Sequence, residues 1–270
     1  MITSTSNGRI KRVIGLQSKA KQRKEEQAFV IEGPKLLMEA PLHLVKEAYF
    51  TERFYADYIK KDSRMEDKLS HLACEMVSDE VLKRMSDVKT PQGVVCVLKK
   101  EDQEIVNLLH REAEFPFYLI IEDLQDPGNL GTIFRTAEAA GVDGIIMNEG
   151  CADMYNPKTI RATMGSLFRV PFIYVAKLVP VLEKLEQWDI KIYASCIDGT
   201  KNYDAFDYIE GTAFLIGNEG TGLTDEIKKR ASHQLVIPMA GEVESLNAAT
   251  AAAVLMFEVA KQRNVKRFGG

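Results

Sequence analysis

Residues 213–227 read AFLIGNEGTGLTDEI, and residues 234–260 read QLVIPMAGEVESLNAATAAAVLMFEVA. In both stretches a short apolar run ends abruptly in a polar loop that contains glycine, and a helical pattern follows the loop. A buried strand that stops at a glycine loop and restarts as a helix is how α/β proteins build ligand crevices. The two loops therefore predict two walls of one binding site.

The first loop is rich in glycine: Gly217, Gly220 and Gly222 surround Asn218 and Glu219. Glycine allows positive φ and lets the backbone approach a ligand closely. The second loop leads into an alanine-rich helix and carries polar candidates for the same site, namely Glu244, Ser245 and Asn247.

The composition sets the class of protein. The 270 residues, 46% hydrophobic and 27% charged, suit a globular chain with two domains or one large one. No apolar stretch approaches the ~18 residues of a membrane span, and the N-terminus lacks the apolar core of a signal peptide, so we expect a cytoplasmic protein with no membrane association. The cysteines and histidines show no ligand-like spacing, so we expect no metal site.

Basic charge is concentrated at both ends, although the net charge is −4. Residues 1–26 carry seven basic groups and two acidic ones, and Lys261, Arg263, Lys266 and Arg267 lie near the C-terminus. Such clusters can contact nucleic-acid phosphates. Solvated, frayed ends are the alternative interpretation.

The periodicity predicts two α/β domains in a fixed order. After a basic N-terminal arm over 1–26, which holds a helix over 9–25, we expect a small α/β domain over 27–100. A charged linker over 101–116 and a larger domain over 117–270 follow. The β-loop-α-β pattern of the larger domain is typical of a parallel sheet. Its predicted strands are Phe117–Ile121, Gly144–Met147, Phe172–Val175, Lys191–Ser195, Phe214–Ile216 and Leu235–Ile237. Helices are expected over 58–69, 104–111, 159–168, 179–187 and 224–232.

Taken one at a time, the polar candidates allow a structural interpretation. Asn129 could serve simply as a helix cap, and Arg135 inside that helix could be a surface cation. Glu219 could simply be a solvated surface carboxylate, and Ser245 and Asn247 could serve simply to cap the last helix.

Together, the stretches resemble a known family. DPGNLGTIFRTAEAAG (126–141), IGNEGTGL (216–223) and IPMAGEVESLNAATAAAVLMFE (237–258) are similar, in order and spacing, to the three motifs of the SpoU (TrmH-type) RNA ribose 2′-O-methyltransferases of the SPOUT superfamily. NPKTIRATMGSLFRVPF (156–172) also resembles the family. The preceding domain, from FVIEGPKLLMEA (29–40) to PQGVVCVL (91–98), resembles a ribosomal-protein-like RNA-binding domain.

The resemblance implies methyl transfer from S-adenosylmethionine to a ribose 2′-hydroxyl of structured RNA. The substrate it favours is 23S-type ribosomal RNA of the large subunit, with transfer RNA as the alternative. It further implies a homodimer and a parallel α/β sheet tied in a deep trefoil knot. General topology rules disfavour a knot, so the knot follows from the resemblance alone.

The resemblance also implies roles for individual residues. Arg135 takes the position that orients or deprotonates the ribose hydroxyl. Because the pKa of arginine exceeds ~12, we expect it to bind the adjacent phosphate and stabilise the developing alkoxide rather than act as a base. The residues expected to orient Arg135, the ribose and the cofactor are Asn129, Glu219, Ser245 and Asn247. The residues expected to contact the cofactor are Gly217, Ile237 and Leu246, together with Asn218, Gly222 and Met239 in the same loops.

Two other classes remain as alternatives. One is an RNA-binding protein without catalysis, which would have no need to keep together the whole polar set of Asn129, Arg135, Glu219, Ser245 and Asn247. The other is a dinucleotide-dependent enzyme such as a dehydrogenase, which the sequence disfavours because GxGxxG is missing after the first strand of such a domain. Retention of S-adenosylmethionine, of a dinucleotide or of no small molecule separates the three classes.

Overall fold

The computed structural model describes residues 1–101, 104–109 and 114–263, which divide between two compact units. Unit 1 comprises Met1–Asp102 and Asp153–Phe168, and unit 2 comprises Gln103–Ala152 and Arg169–Gly270. No helix within the described ranges is long and apolar enough to cross a membrane.

The helices and strands alternate along most of the chain. The helices are α1 (Gly8–Ser18), α2 (Ala20–Glu25), α3 (Pro34–Glu39), α4 (Glu52–Phe54), α5 (Ser63–Ser70), α6 (Asp79–Met85), α7 (Ile105–Leu108), α8 (Pro127–Ala140), α9 (Pro157–Thr163), α10 (Val179–Gln187), α11 (Asp225–Lys228) and α12 (Ala248–Gln262). The strands are β1 (Ala28–Glu32), β2 (Val45–Phe50), β3 (Cys74–Met76), β4 (Val94–Lys99), β5 (Phe117–Ile121), β6 (Gly144–Asn148), β7 (Phe172–Val175), β8 (Lys191–Ser195), β9 (Lys201–Asn202), β10 (Thr212–Ile216) and β11 (His233–Val236).

Unit 1 is built on a four-stranded mixed sheet in the order β1-β4-β2-β3, in which β4 is antiparallel to both of its neighbours. The expected arm over 1–26 is part of this unit. Ile10, Val13 and Leu16 of α1 are fully buried in the core with strand residues such as Val30 and Val97. The helix is amphipathic, and burying its apolar face fixes it against the sheet. Arg9 and Arg12 on its polar side pair with Glu47 of β2, whereas Lys11 is exposed.

Residues 153–168, expected inside the catalytic domain, belong to unit 1. Arg23, only 3% exposed, donates from Nε to an Asp153 carboxylate oxygen at 2.9 Å and from Nη1 to the Leu16 and Gln17 carbonyl oxygens. The Tyr155 ring packs on Phe29, with ring centroids 4.7 Å apart. A buried guanidinium needs a carboxylate partner, which accounts for the position of Asp153.

Unit 2 is a seven-stranded sheet in the order β7-β6-β5-β10-β8-β11-β9, with every neighbouring pair parallel. The predicted parallel α/β sheet is therefore confirmed. β9 was not predicted, because two residues are too short to show a period. The carboxyl ends of β5, β10, β8 and β11 meet at one edge, where the loops that follow them converge.

Several predicted helices have different ends. The basic helix over 9–25 is interrupted at Lys19, whose backbone is extended, and the helix expected over 58–69 begins at Ser63 after its cap Asp62. The helix over 159–168 ends where Met164 adopts φ 53°, and the helix over 224–232 ends at Lys228. Of the helix expected over 104–111, α7 forms, whereas residues 110–111 lie outside the described ranges.

Candidate active site

The glycine loop after β10 is a tight backbone turn. Asn218 and Gly222 exchange two backbone hydrogen bonds of 3.1 and 3.0 Å, and Gly222 has φ 70°. A Cβ on Gly217 would lie 2.3 Å from the carbonyl carbon of Gly222 and 2.4 Å from the Leu223 nitrogen. The turn can close only because position 217 has no side chain.

Asn218 holds the same turn from inside. Its Oδ1 accepts from the Gly220 and Thr221 N–H groups at 2.8 and 3.1 Å, and its Nδ2 donates to the Asp123 carbonyl oxygen at 2.7 Å. The side chain of this predicted cofactor contact is therefore used to shape the loop.

The loop after β11 reaches from Ile237 to Asn247, the N-cap of α12. Asn247 Oδ1 accepts from the Ala249 and Thr250 N–H groups at 3.0 and 3.3 Å. Asn247 therefore caps α12, as its structural interpretation allowed, and the cap leaves its Nδ2 directed at a second partner.

A cavity of about 610 Å³ lies between these two loops. Its lining includes all six residues predicted to contact the cofactor, Gly217, Asn218, Gly222, Ile237, Met239 and Leu246, and also Glu219 and Ser245. The structure thus brings both loops together as the sequence predicted.

Glu219 fastens the glycine loop to the start of α8. Its carboxylate accepts from the backbone N–H groups of Gln125 and Asp126 at 3.1 and 2.9 Å, and from Asn129 Nδ2 at 3.0 Å. Partial burial acts to raise the pKa of Glu219, but these donors outweigh it and hold the pKa below the ordinary value. Glu219 is therefore an ionised acceptor at neutral pH.

Asn129 joins three segments of unit 2. Its Nδ2 donates to Glu219, and its Oδ1 accepts from Asn247 Nδ2 at 3.0 Å. A chain of side-chain hydrogen bonds therefore runs from the glycine loop through α8 to the cap of α12. We call Glu219, Asn129 and Asn247 the polar clamp.

Arg135 and Ser245 remain outside the polar clamp. Within the described residues neither side chain has a hydrogen-bond or ion-pair partner, and both residues are exposed. Arg135 lies six residues beyond Asn129 on α8, which places it about 9 Å along the axis and about 120° around the helix. These two side chains are the predicted catalytic groups whose polar atoms are still available.

Two features of the site were missed by sequence reasoning. Glu122, 6% exposed at the end of β5, accepts from the Thr224 N–H and hydroxyl at 2.8 Å each and so fixes the far end of the glycine loop. The segment 195–198, at the carboxyl end of β8, also lines the cavity. Because β8 pairs in parallel with β10, their carboxyl ends lie at the same edge of the sheet, and this adjacency is the signal that could have identified the segment. No cluster of three metal-ligating side chains occurs in the described part of the chain.

Two family models match this chain. Residues 116–257 match the SpoU rRNA Methylase family, and residues 7–96 match the MRM3-like substrate binding domain. The second match begins before α1, consistent with the place of that helix in unit 1.

One curated relative matches almost the whole chain, and a second matches about 70% of it. The 23S rRNA (guanosine(2553)-2′-O)-methyltransferase RlmP of Bacillus subtilis is 30% identical over 260 residues, which is 96% of this chain and 98% of the relative. The 23S rRNA (uridine(2479)-2′-O)-methyltransferase of Streptomyces viridochromogenes is 32% identical over 193 residues, covering 70% of this chain and 67% of that protein.

Solved structures agree with these matches. The SpoU methyltransferase AviRb from Streptomyces viridochromogenes in complex with AdoMet superposes with a TM-score of 0.84 at 26% identity, covering 97% of this chain and 100% of its own. An AdoMet-bound rRNA methyltransferase from Sinorhizobium meliloti gives a TM-score of 0.82 at 29% identity, over 96% and 97% of the two chains. With more than half of its length matched by the family model and a 30% identical relative along almost all of it, the chain belongs to the SpoU rRNA methylase family.

Proposed function

We propose that this chain transfers the methyl group of S-adenosylmethionine to a ribose 2′-hydroxyl of 23S-type ribosomal RNA. The observation that carries the proposal is the polar clamp, because it ties the three motif stretches together beside the cavity. Relatives named as 23S rRNA 2′-O-methyltransferases support both the reaction and the substrate. Transfer RNA is the alternative substrate.

The cavity fits S-adenosylmethionine. The missing side chain at Gly217 leaves backbone on one wall, where amide and carbonyl groups can read a purine edge. Ile237, Met239 and Leu246 supply apolar side chains in the same cavity. When bound, the cofactor supplies an electrophilic methyl group, so the protein needs to position the hydroxyl and stabilise its developing charge.

The structure supports a division of labour among the predicted catalytic residues. Glu219, Asn129 and Asn247 use their polar atoms on one another and on backbone, so we assign them as positioning residues. Arg135 is the group for the RNA: its permanent charge binds a phosphate and stabilises the alkoxide. Ser245, exposed on the cavity wall, is placed to accept from or donate to the ribose or the cofactor.

We further propose a homodimer in which Arg135 serves the site of the partner subunit. This assignment reconciles the expected role of Arg135 with its position outside the polar clamp of its own chain. Phe257 on α12 is 51% exposed and offers an apolar side chain for a contact between the subunits.

We also propose a division of RNA binding and catalysis between the two units, a trefoil knot in unit 2 and a cytoplasmic location. We assign RNA binding to unit 1, which overlaps the substrate-binding match, and catalysis to unit 2. The return of α12 to α8 through the Asn247–Asn129 hydrogen bond supports a threaded C-terminal segment, which a crystal structure traced through residues 216–248 would test. Four unpaired cysteines support a cytoplasmic location, testable by cell fractionation.

The experiment that tests the reaction is methyl transfer from labelled S-adenosylmethionine to total RNA from cells lacking this protein, followed by nucleoside analysis. Label in a 2′-O-methyl nucleoside of large-subunit ribosomal RNA supports the proposal. Label on a base overturns the ribose assignment, and label in transfer RNA overturns the substrate. The absence of both methyl label and cofactor binding would favour an RNA-binding protein without catalysis.

A further inference from the structure

Unit 1 carries two exposed tyrosines on one unusual helical turn. Tyr55–Ile59 continues α4 as a π-helix, in which the Lys60 N–H donates to the Tyr55 carbonyl oxygen at 3.1 Å. Tyr55 and Tyr58 are 37% and 44% exposed. π-Helical turns are rare, and those that do occur often lie at functional sites.

A buried phenylalanine supports each tyrosine. Tyr58 stacks on Phe54, with centroids 4.9 Å apart and planes 21° apart, and Tyr55 stacks on Phe50 at 6.3 Å and 16°. Phe50 and Phe54 belong to the core of unit 1. The tyrosine rings are therefore held in place by the fold before any ligand arrives, which lowers the entropic cost of binding to them.

The segment that carries the two rings has more cations than carboxylates, with Arg53, Lys60 and Lys61 against Glu52 and Asp57. Lys60 Nζ lies 5.4 Å from the centroid of the Tyr55 ring and, among the described residues, has no carboxylate partner. Asp57, the carboxylate of the same turn, is paired with Arg53 at 3.5 Å and Lys61 at 3.3 Å. A cation next to aromatic faces suits a ligand that has both flat rings and negative charge.

We propose that Tyr55, Tyr58 and Lys60 form a stacking platform for unpaired bases of the RNA substrate. Proteins recognise single-stranded RNA by stacking its bases on aromatic side chains while cations contact its backbone. The platform lies within residues 7–96, the substrate-binding match. The inference rests on the proposed function for its ligand and adds that the substrate is held through an unpaired segment.

The test measures the affinity of the full chain for an unstructured RNA of about ten nucleotides by fluorescence anisotropy. Tyr58→Leu should weaken binding about tenfold, because one base no longer has a ring to stack on. Tyr58→Phe is the matched control and should keep the wild-type affinity, because stacking needs the ring and not the hydroxyl. Unchanged affinity in Tyr58→Leu, or equally weakened binding in both variants, would overturn the platform.

A second measurement uses the wild-type protein and therefore does not depend on how a variant folds. RNA containing 5-bromouridine is photo-cross-linked to the full chain, and the modified residues are mapped by mass spectrometry. Cross-links within residues 55–60 support the platform. Cross-links confined to other segments overturn it, and the exposed tyrosines would then be assigned to a contact with another protein. Both assays run without methyl transfer, so failure of the proposed reaction is scored separately.

Discussion

At the scale of single residues, Arg135 has no described partner and should act only on RNA. Arg135→Ala should lower methyl transfer at least a hundredfold, because the developing alkoxide loses its stabilising charge, while affinity for S-adenosylmethionine stays near normal. Methyl-transfer kinetics and calorimetric titration with the cofactor check both parts. Arg135→Lys, which keeps the charge without the planar donors, should recover part of the rate. Weak cofactor binding with residual turnover would contradict the assigned role.

Glu219 illustrates a different role, since its carboxylate is fully engaged within the protein. Glu219→Gln removes the charge that accepts from Gln125, Asp126 and Asn129, and should lower kcat/KM about tenfold or more. Its folded-state pKa is depressed, so its stabilising contribution is present above the unfolded-state pKa and is lost as pH falls through the lower folded value.

Thermal unfolding of wild type and Glu219→Gln across pH checks this sign. The difference in melting temperature should be largest near neutral pH and should shrink in acid, below the ordinary carboxyl range. A difference that grows toward acid pH would contradict the ionised, hydrogen-bonded state of Glu219.

At the scale of elements, the glycine loop depends on close backbone packing at Gly217. Gly217→Ala places a methyl group 2.3 Å from Gly222 backbone, which must shift. We expect a destabilisation of about 1–3 kcal/mol and a clear decrease in cofactor affinity. Gly220→Ala is the matched control, because its Cβ would meet nothing nearer than Asn218 Oδ1 at 3.6 Å. Calorimetry and thermal unfolding of both variants test this; equal behaviour would contradict the loop geometry.

The N-terminal helices contribute both core and charge. Deleting residues 1–26 would remove buried Ile10, Val13 and Leu16, so the charge is better tested by substitution. Lys11, Lys19 and Lys24 are exposed and have no described ion-pair partner. Changing all three to Gln should reduce the slope of log affinity for RNA against log salt, by ~0.7 to 0.9 for each phosphate that the variant no longer neutralises.

The control for this salt dependence is Lys229→Gln on unit 2, another exposed lysine without a described ion pair, which should leave the slope unchanged. Filter binding of RNA at several salt concentrations measures the slopes. An unchanged slope in the triple variant would remove these two helices from the RNA interface.

At the scale of the whole molecule, a shared active site predicts complementation. Arg135→Ala removes the catalytic arginine, and Gly217→Ala damages the cofactor pocket. A mixed dimer of the two variants would therefore hold one site in which both the arginine and the pocket are intact. Random re-pairing of the two variant homodimers, at a cofactor concentration too low to saturate the Gly217→Ala pocket, should restore roughly a quarter of wild-type methyl transfer. No recovery after subunit exchange, verified by mass spectrometry of the mixed dimers, would show that Arg135 acts within its own chain. Recovery requires dimers, so the experiment also tests the assembly.

Strand positions follow from local sequence patterns, whereas helix ends and contacts between distant segments do not. The strands of unit 2 were predicted nearly to the residue because buried parallel strands are continuous apolar runs, and Gly217 to Gly222 marked the loop between β10 and α11. Most wrong boundaries lie at helix ends, such as Lys19 and Met164, where one backbone conformation decides and the pattern is weak.

The sequence by itself determined the parallel α/β sheet and the two loops that line the cavity, because these depend on periodicity and on motifs whose members lie close along the chain. Only the tertiary structure decided that Asp153 and its segment pack in unit 1, and that Glu219, Asn129 and Asn247 bind one another while Arg135 does not join them. Those contacts join residues about a hundred positions apart, and their partners are selected by sheet order and packing, which no local pattern encodes.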